Sequence, residues 1–181
     1  MNKLIAIVGM SGSGKTIACS YFENIGFKKV YFGGVTLEKI KELNLEVNEN
    51  NERIVRENLR KEYGMGAYAH ILLPRIDEYL KTSNVVLDGL YSWEEYKILK
   101  EKFSDMILLS IITDKQYRYD RLKNREVRPL NSIDAEKRDI AEIENLQKGG
   151  PIAYADYYVT NNSSIEDYQK ELESVIKRIM E

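Results

Sequence analysis

Residues 9–16, with the sequence GMSGSGKT, leave this chain few possible folds. They match the pattern Gly-x-x-x-x-Gly-Lys-Ser/Thr, follow the apolar run Leu4–Val8 and lead into a helical pattern over residues 17–25. Between a strand and a helix, such a loop turns backbone N–H groups and the helix N-terminus toward phosphate. The segment therefore predicts a phosphate-binding loop, and the alternative is a glycine-rich turn.

Each part of this loop has a predicted role. Glycines let the backbone curl, Lys15 places positive charge beside the β- and γ-phosphates, and the Thr16 hydroxyl can ligate magnesium. The candidate ATP-binding residues of the loop are Gly9, Gly12, Ser13, Gly14, Lys15 and Thr16. Lys15 is also a candidate catalytic residue, because charge on a transferred phosphoryl group must be neutralised. ATP and Mg²⁺ are the expected cofactors.

Short apolar runs alternate with helix-length amphipathic segments along the 181 residues. The strand-like runs are Leu4–Val8, Val30–Phe32, Val85–Leu87, Ile107–Ile112 and Tyr157–Val159. Because such runs are typical of strands buried on both faces, the alternation predicts an α/β layer fold with a parallel sheet. The length fits one domain over residues 1–181.

Helical patterns fill the intervals between the strand-like runs. They cover residues 51–63, 67–81, 93–103, 116–125 and 134–148. Gly149-Gly150-Pro151 is predicted to close the last of these stretches. A capping box from Ser163 to Glu166 predicts the start of a C-terminal helix.

Charge and composition favour a cytoplasmic protein with a small-molecule partner. Lys and Arg number 27 against 29 Asp and Glu, so the net charge of −2 gives no global attraction to nucleic acid or anionic membranes. The single cysteine, Cys19, excludes an internal disulfide, and the N-terminus lacks a signal-peptide pattern. The apolar stretch Met106–Ile112 is far shorter than the roughly 20 residues of a membrane-spanning helix.

An acidic residue, Asp88, follows the strand-like run Val85–Leu87 and precedes a glycine. Ligands of open α/β sheets bind at the carboxyl ends of the strands. Asp88 is therefore a candidate catalytic residue and, together with Thr16, a candidate magnesium ligand. The alternative is an Asp-Gly turn that merely ends the strand.

A basic cluster follows the fourth predicted strand. Its members are Lys115, Arg118, Arg121, Lys123, Arg125 and Arg128, against only Asp120 and Glu126. The spacing of Arg118, Arg121 and Arg125 places them on one helical face, where they could converge on phosphate or stack on a base. A solvated face is the alternative. Because Pro129 separates two helical stretches, a mobile lid is predicted over about residues 125–137.

With the loop, the Asp-Gly strand end and the arginines identified, the chain resembles the nucleoside monophosphate kinase and dephospho-CoA kinase branch of P-loop kinases. The resemblance spans nearly the whole chain. Residues 86–89 look like the third-strand motif of adenylate kinases, Arg121 and Arg125 look like lid arginines, and residues 155–162 are similar to the last strand of dephospho-CoA kinases. By this likeness, Arg138 is a further lid arginine that faces the substrate.

The resemblance also implies an architecture. It implies a three-layer fold with a five-stranded parallel sheet in the order 2-3-1-4-5. It further implies a helical acceptor-binding insert over about residues 36–82 and the lid over about residues 125–137. Arg121 and Arg125 would then be catalytic lid residues, and Arg121 would also contact ATP.

The chain departs from these relatives in the acceptor site. Gly34 and Leu37 stand where relatives carry an acidic residue and a phosphate-binding arginine, and residues 90–92 lack the arginine that follows Asp-Gly in adenylate kinases. Other residues must therefore bind the acceptor. The candidates are Arg53, Arg56, Arg60, Tyr91 and Arg138. The first three share one face of a predicted helix, for which a solvated face is again the alternative.

These patterns predict ATP- and Mg²⁺-dependent phosphoryl transfer to a small nucleotide-like acceptor. One alternative acceptor is dephospho-CoA. The alternative from another class is a nucleotide-gated regulatory NTPase that has no phosphate acceptor, because the usual acceptor arginines are missing. Neither the acceptor nor the oligomeric state follows from the sequence.

Overall fold

Five parallel strands form the sheet at the centre of the protein. The computed structural model describes residues 2–126 and 129–181. Within them the strands are β1 (Leu4–Val8), β2 (Lys28–Tyr31), β3 (Val85–Asp88), β4 (Ile107–Ile112) and β5 (Tyr157–Thr160). They lie in the order β2-β3-β1-β4-β5, and each neighbouring pair is parallel. The predicted fold class and strand order are confirmed.

Helices connect the strands and cover both faces of the sheet. Their bounds are α1 (Lys15–Asn24), α2 (Phe32–Glu42), α3 (Glu49–Tyr63), α4 (Ala67–Leu80), α5 (Trp93–Lys102), α6 (Lys115–Asn124), α7 (Ser132–Leu146), α8 (Gly149–Ala153) and α9 (Ile165–Met180). In the part of the chain that the structure describes, no helix combines the length and apolar character needed to cross a bilayer.

The central strand β1 contributes to two separate parts of the core. Leu4, Ala6 and Val8 pack with buried residues of α2, α3, α4 and α5. Ile5 and Ile7 pack on the other face with buried residues of α1 and α9. Because successive side chains of a strand point to opposite faces, β1 must be apolar throughout to hold both helical layers.

The segment after β2 differs from the sequence prediction. Phe32, predicted as the last residue of a strand, begins α2 instead. Gly33 and Gly34 have low helix propensity, so no helical pattern was evident there. The helix forms because Phe32, Val35 and Ile40 are buried in the core, and this packing outweighs the local propensity.

Two boundaries near the C-terminus also differ. The predicted capping box from Ser163 to Glu166 is wrong by one position, because the Ser164 side chain accepts the hydrogen bond from the Asp167 N–H. Adjacent serines give nearly the same capping pattern one residue apart, and only the packing of α9 selects between them. Gly149-Gly150-Pro151 begins the short helix α8 rather than only closing the preceding segment.

Candidate active site

The loop between β1 and α1 ends in a conformation that suits glycine alone. Gly14 is the N-cap of α1 and has a φ of 101°, in the left-handed region that other residues rarely adopt. A Cβ atom on Gly14 would also overlap the Nδ2 atom of Asn161. Because α1 begins at Lys15, the N–H groups of its first turn are directed toward the loop. This arrangement suits an anion.

Three side chains from distant parts of the chain support the loop. Asn161 Nδ2 and Thr113 Oγ1 both donate to the Ser13 carbonyl oxygen, at 2.8 and 3.0 Å. The Tyr168 hydroxyl donates to the Gly14 carbonyl oxygen at 3.0 Å. Asn161 follows β5, Thr113 follows β4 and Tyr168 lies on α9. The loop is therefore held in place by residues from the β4–β5 side of the sheet and from α9. A preformed loop binds phosphate without further reorganisation.

The Lys15 ammonium group contacts the loop that precedes it. Its Nζ atom donates to the carbonyl oxygens of Gly9 and Met10, at 2.9 and 3.0 Å. Burial and, after it, the positive charge of Lys148 lower the pKa of Lys15 to about 7. A bound phosphate would favour the charged form again.

Asp88 ends β3 beside this loop, opposite Ile7 of β1. Burial raises the pKa of the Asp88 carboxyl, while a hydrogen bond from the Cys19 thiol and the charge of Lys15 act in the opposite direction. Thr16 is exposed at the start of α1. A hydroxyl and a carboxylate are oxygen ligands of the kind that Mg²⁺ prefers, so Thr16 and Asp88 fit the metal role predicted for them.

A buried carboxylate of α7 lies against the loop. Glu142 Oε1 accepts hydrogen bonds from Ser11 Oγ at 3.1 Å and from Arg138 Nε at 3.2 Å. Glu142 Oε2 accepts from Lys148 Nζ at 2.8 Å. Burial alone would raise the pKa of Glu142, but the charges of Lys148 and Arg138 lower it to about 2. Glu142 is therefore ionised and gathers two cations beside the loop.

One of these cations, Lys148, is almost completely enclosed. It is 1% exposed at the N-cap of α8, and its Nζ atom lies 5.4 Å from the centre of the Tyr91 ring. Lys148 thus lies between Glu142, which contacts the loop, and Tyr91, which follows β3. Sequence reasoning missed Glu142 and Lys148, because single charged residues near Gly149 have no distinctive spacing.

Arg118 is buried and forms an ion pair within the protein, so it is not part of a solvent-exposed basic surface. Its guanidinium contacts both carboxylate oxygens of Asp139, at 3.0 and 2.6 Å, and its Nη1 atom donates to the Ser11 carbonyl oxygen at 3.0 Å. Arg118 is 6% exposed. The solvated face is therefore wrong for Arg118, because both of its terminal nitrogens are engaged within the protein.

Arg121, one turn further along α6, faces Asn161. Its Nη2 atom donates to the carbonyl and side-chain oxygens of Asn161, at 2.9 and 3.1 Å. Arg121 Nη1 and Ser13 Oγ are both buried and have no hydrogen-bond partner within residues 2–126 and 129–181. Because buried polar atoms are normally paired, both atoms fit a role in binding a polar ligand beside the loop.

Arg125 lies just beyond the end of α6, where the backbone is extended. It therefore leaves the helical face that its spacing predicts. Arg128, the last member of the basic cluster, lies outside the described residues. The lid roles of Arg121 and Arg125 stay predictions, as does the lid over residues 125–137, whose second half belongs to α7.

The three arginines of α3 do not meet at one point. Arg53 is exposed, whereas Arg56 forms an ion pair with Glu49 at 2.8 Å. Arg60 lies over the Tyr68 ring, at 5.3 Å from its centre, and its buried Nε atom has no hydrogen-bond partner in the described part of the chain. Of these three acceptor candidates, Arg60 has the geometry best suited to a ligand.

Tyr91 contributes an aromatic wall beside Asp88. Its ring meets those of Phe32 and Tyr68 edge to face, with centroid distances of 6.3 and 5.9 Å. Its backbone N–H donates to Glu95 Oε2 at 2.8 Å. Burial raises the pKa of Tyr91, so its hydroxyl stays neutral. Tyr91 therefore belongs to a group of three packed aromatic rings that follows the Asp-Gly end of β3.

Comparisons with known proteins agree with this architecture. A family model described as an AAA domain matches residues 5–142. The UPF0200 protein of Thermococcus kodakarensis is 33% identical over 182 residues, which cover 98% of each protein.

Solved structures of kinases have the same fold. Shikimate kinase from Bacteroides thetaiotaomicron has a TM-score of 0.64 and 12% identity, over 99% of each chain. Dephospho-CoA kinase from Campylobacter jejuni has a TM-score of 0.61 and 16% identity, over 99% of this chain and 98% of its own. These two likenesses show a P-loop kinase fold. The protein therefore belongs to the UPF0200 family and, through residues 5–142, to the AAA domain family.

Proposed function

We propose that this protein binds ATP with magnesium and transfers the γ-phosphate to a small nucleotide-like acceptor. The observation that carries the proposal is the position of Asp88 at the carboxyl end of β3, beside the loop that leads from the adjacent strand β1 to Lys15 at the start of α1. Each group affects the pKa of the other, so the cation and the carboxylate share one site. The P-loop kinase fold supports nucleotide-dependent phosphoryl transfer.

The loop and α1 form the ATP-binding part of the site. Backbone N–H groups between Gly9 and Thr16 surround the phosphates, and Lys15 moves from the loop carbonyls to the phosphate oxygens. Thr16 and Asp88 would hold magnesium, which neutralises phosphate charge when it is bound with ATP. Arg121, whose Nη1 atom has no hydrogen-bond partner among the described residues, contacts the nucleotide.

The transfer itself requires little covalent chemistry from the protein. The acceptor oxygen forms a bond to the γ-phosphorus while the bond to the β–γ bridging oxygen breaks, and that oxygen keeps the electron pair as part of ADP. An acceptor phosphate is already ionised and loses no proton. An acceptor hydroxyl gives its proton to Asp88, whose pKa is raised by burial, and in that case Asp88 would hold magnesium through the metal's waters and not directly.

The acceptor side of the site favours a flat, partly polar molecule. Tyr91 is a half-buried ring close to Asp88, and Arg60 brings a charge whose Nε atom has no hydrogen-bond partner among the described residues. Aromatic rings bind nucleobases by stacking, and arginine binds phosphate or carboxylate. Arg138, on α7, and Arg125, beyond α6, supply charge to the transferred group when the site closes.

The test measures ATP consumption with magnesium across nucleoside monophosphates, nucleosides and dephospho-CoA. We expect one class of acceptor to accelerate consumption and to appear in a phosphorylated form. Lys15→Ala should reduce this rate on the order of 100-fold or more, because it removes a charge from the transition state. Lys170→Ala, which removes an exposed lysine of α9, is the matched control and should leave the rate unchanged.

Each other outcome has a defined meaning. Near-normal turnover in folded Lys15→Ala would contradict the mechanism. Acceleration by dephospho-CoA alone would identify the acceptor as a hydroxyl. Tight ATP binding that no acceptor converts into faster consumption would favour a nucleotide-gated protein over a kinase.

A further inference from the structure

Lys148 has an environment that a purely structural residue does not need. Its side chain is 1% exposed, and its ammonium group contacts the Glu142 carboxylate at 2.8 Å and the face of the Tyr91 ring. Glu142 also accepts hydrogen bonds from Ser11 and Arg138. One carboxylate therefore pairs with two cations, the buried Lys148 and the half-buried Arg138. Burying an ion pair often stabilises a protein less than packing apolar residues of the same volume.

Lys148 also lies at the place where donor and acceptor would meet. Glu142, on one side, contacts Ser11 of the phosphate-binding loop. Tyr91, on the other side, lies three residues after Asp88 and is one of the candidate acceptor-binding residues. Lys15 Nζ donates to the carbonyl oxygens of Gly9 and Met10, in the same loop that Glu142 contacts through Ser11. Both lysines are therefore held next to this loop, Lys15 by its carbonyl oxygens and Lys148 through Glu142.

We propose that Lys148 is a catalytic residue whose ammonium group contacts the transferred phosphoryl group, and that Glu142 is the positioning residue that holds this ammonium in place beforehand. The inference rests on the proposed phosphoryl transfer and adds a residue to it. Lys15 neutralises the phosphoryl group from the side of the loop, and Lys148 neutralises it from the side of the acceptor. Lys148 is thus the counterpart of Lys15 across the reaction centre.

The charge balance explains why Lys148 would act during transfer. Arg138 and Lys148 both donate to the Glu142 carboxylate, which also accepts from Ser11 of the phosphate-binding loop, so two cations besides Lys15 lie beside this loop. As the acceptor oxygen bonds to phosphorus and the bridging oxygen leaves with its electron pair, negative charge stays on oxygens within this group. A buried ammonium needs no solvent reorganisation to stabilise that charge.

The alternative is that Lys148 only neutralises Glu142 and joins α7 to α8. A double variant separates the two roles. If Lys148 is structural, replacing both partners by neutral residues of similar shape, as in Lys148→Met with Glu142→Gln, should restore what Lys148→Met alone loses. If Lys148 is catalytic, the double variant regains stability but still lacks the cation.

The experiment does not need the unidentified acceptor. It measures the Kd of ADP with magnesium by titration calorimetry, without and with aluminium fluoride, which mimics the phosphoryl group during transfer. The proteins are the wild type, Lys148→Met, the double variant and Lys137→Met, which replaces an exposed lysine of α7 as the matched control. Thermal unfolding of each protein records its stability.

We expect aluminium fluoride to tighten ADP binding in the wild type and in Lys137→Met. In Lys148→Met and in the double variant, ADP should still bind. The factor by which aluminium fluoride lowers the Kd of ADP should decrease on the order of 100-fold, because only the mimic of the transferred group contacts Lys148. Recovery of the tightening in the double variant would overturn the proposal and leave Lys148 structural. A wild-type protein that binds ADP without any tightening would also overturn it. Failure to bind ADP at all would instead contradict the proposed function.

Discussion

Arg118 and Asp139 form a two-point ion pair that joins α6 to α7 next to the phosphate-binding loop. The two N–O distances are 3.0 and 2.6 Å, and both residues are buried. The same guanidinium donates to the Ser11 carbonyl oxygen. The packing of the two helices therefore sets the position of the loop.

Breaking this ion pair should destabilise the protein. Arg118→Met leaves Asp139 buried without its partner, so we expect the free energy of unfolding to fall by about 3 kcal/mol in urea denaturation. Lys115→Met is the matched control, because Lys115 and Glu136 form an exposed ion pair between the same two helices. Equal losses in the two variants would show that the buried pair adds no special stability.

The Gly14 position tests how closely the loop is packed. Gly14→Ala adds a methyl group at a φ of 101° that also overlaps Asn161 Nδ2, so the bond from Asn161 to the Ser13 carbonyl must break. We expect lower stability and weaker nucleotide binding. Gly26→Ala is the matched control, since Gly26 has a φ of 94° but nothing within 4 Å of an added Cβ. If Gly14→Ala loses no more stability than Gly26→Ala, the contact with Asn161 is unimportant.

The lowered pKa of Lys15 predicts that nucleotide binding takes up a proton. Without nucleotide, Lys15 has a pKa of about 7 and is mostly neutral at pH 8. Bound phosphates favour the ammonium form and raise this pKa, so the complex holds a proton that the free protein lacks. Calorimetry of ATP binding at pH 8 in buffers of different ionisation enthalpy should show uptake approaching one proton, and affinity should fall as the pH rises above about 7. The same uptake in Lys15→Met would assign the proton to another group.

Because Arg125 lies beyond the end of α6, we expect its replacement to change the rate of phosphoryl transfer more than the affinity for ATP. If Arg125 reaches the phosphoryl group only when the site closes, Arg125→Ala should lower the rate of transfer while the Kd of ATP changes little. Single-turnover kinetics and equilibrium binding measure the two effects separately. Lys123→Ala removes an exposed cation from the same helix and serves as the control. An unchanged rate in Arg125→Ala would leave that arginine as part of a solvated surface.

Patterns confined to neighbouring residues were predictable from the sequence. Three such patterns depend on local backbone geometry and on the alternation of side chains along a strand. They are the buried run Leu4–Val8, the glycines and lysine of residues 9–16, and the acidic end of β3. The strand order came from the resemblance to P-loop kinases, and it is confirmed. The helix α2 was missed because burial of Phe32 outweighs the low propensity of two glycines.

A phosphate-binding loop after a buried strand was predictable from the order of residues alone, because glycine conformation and strand alternation depend on adjacent residues. The residues that surround the loop come from distant parts of the chain and follow from tertiary packing. Arg118 and Arg121 share a helical face, yet one pairs with Asp139 and the other with Asn161. Lys148 joins the site through Glu142. Such roles depend on which distant side chains burial brings within hydrogen-bonding distance, and no spacing along the chain encodes them.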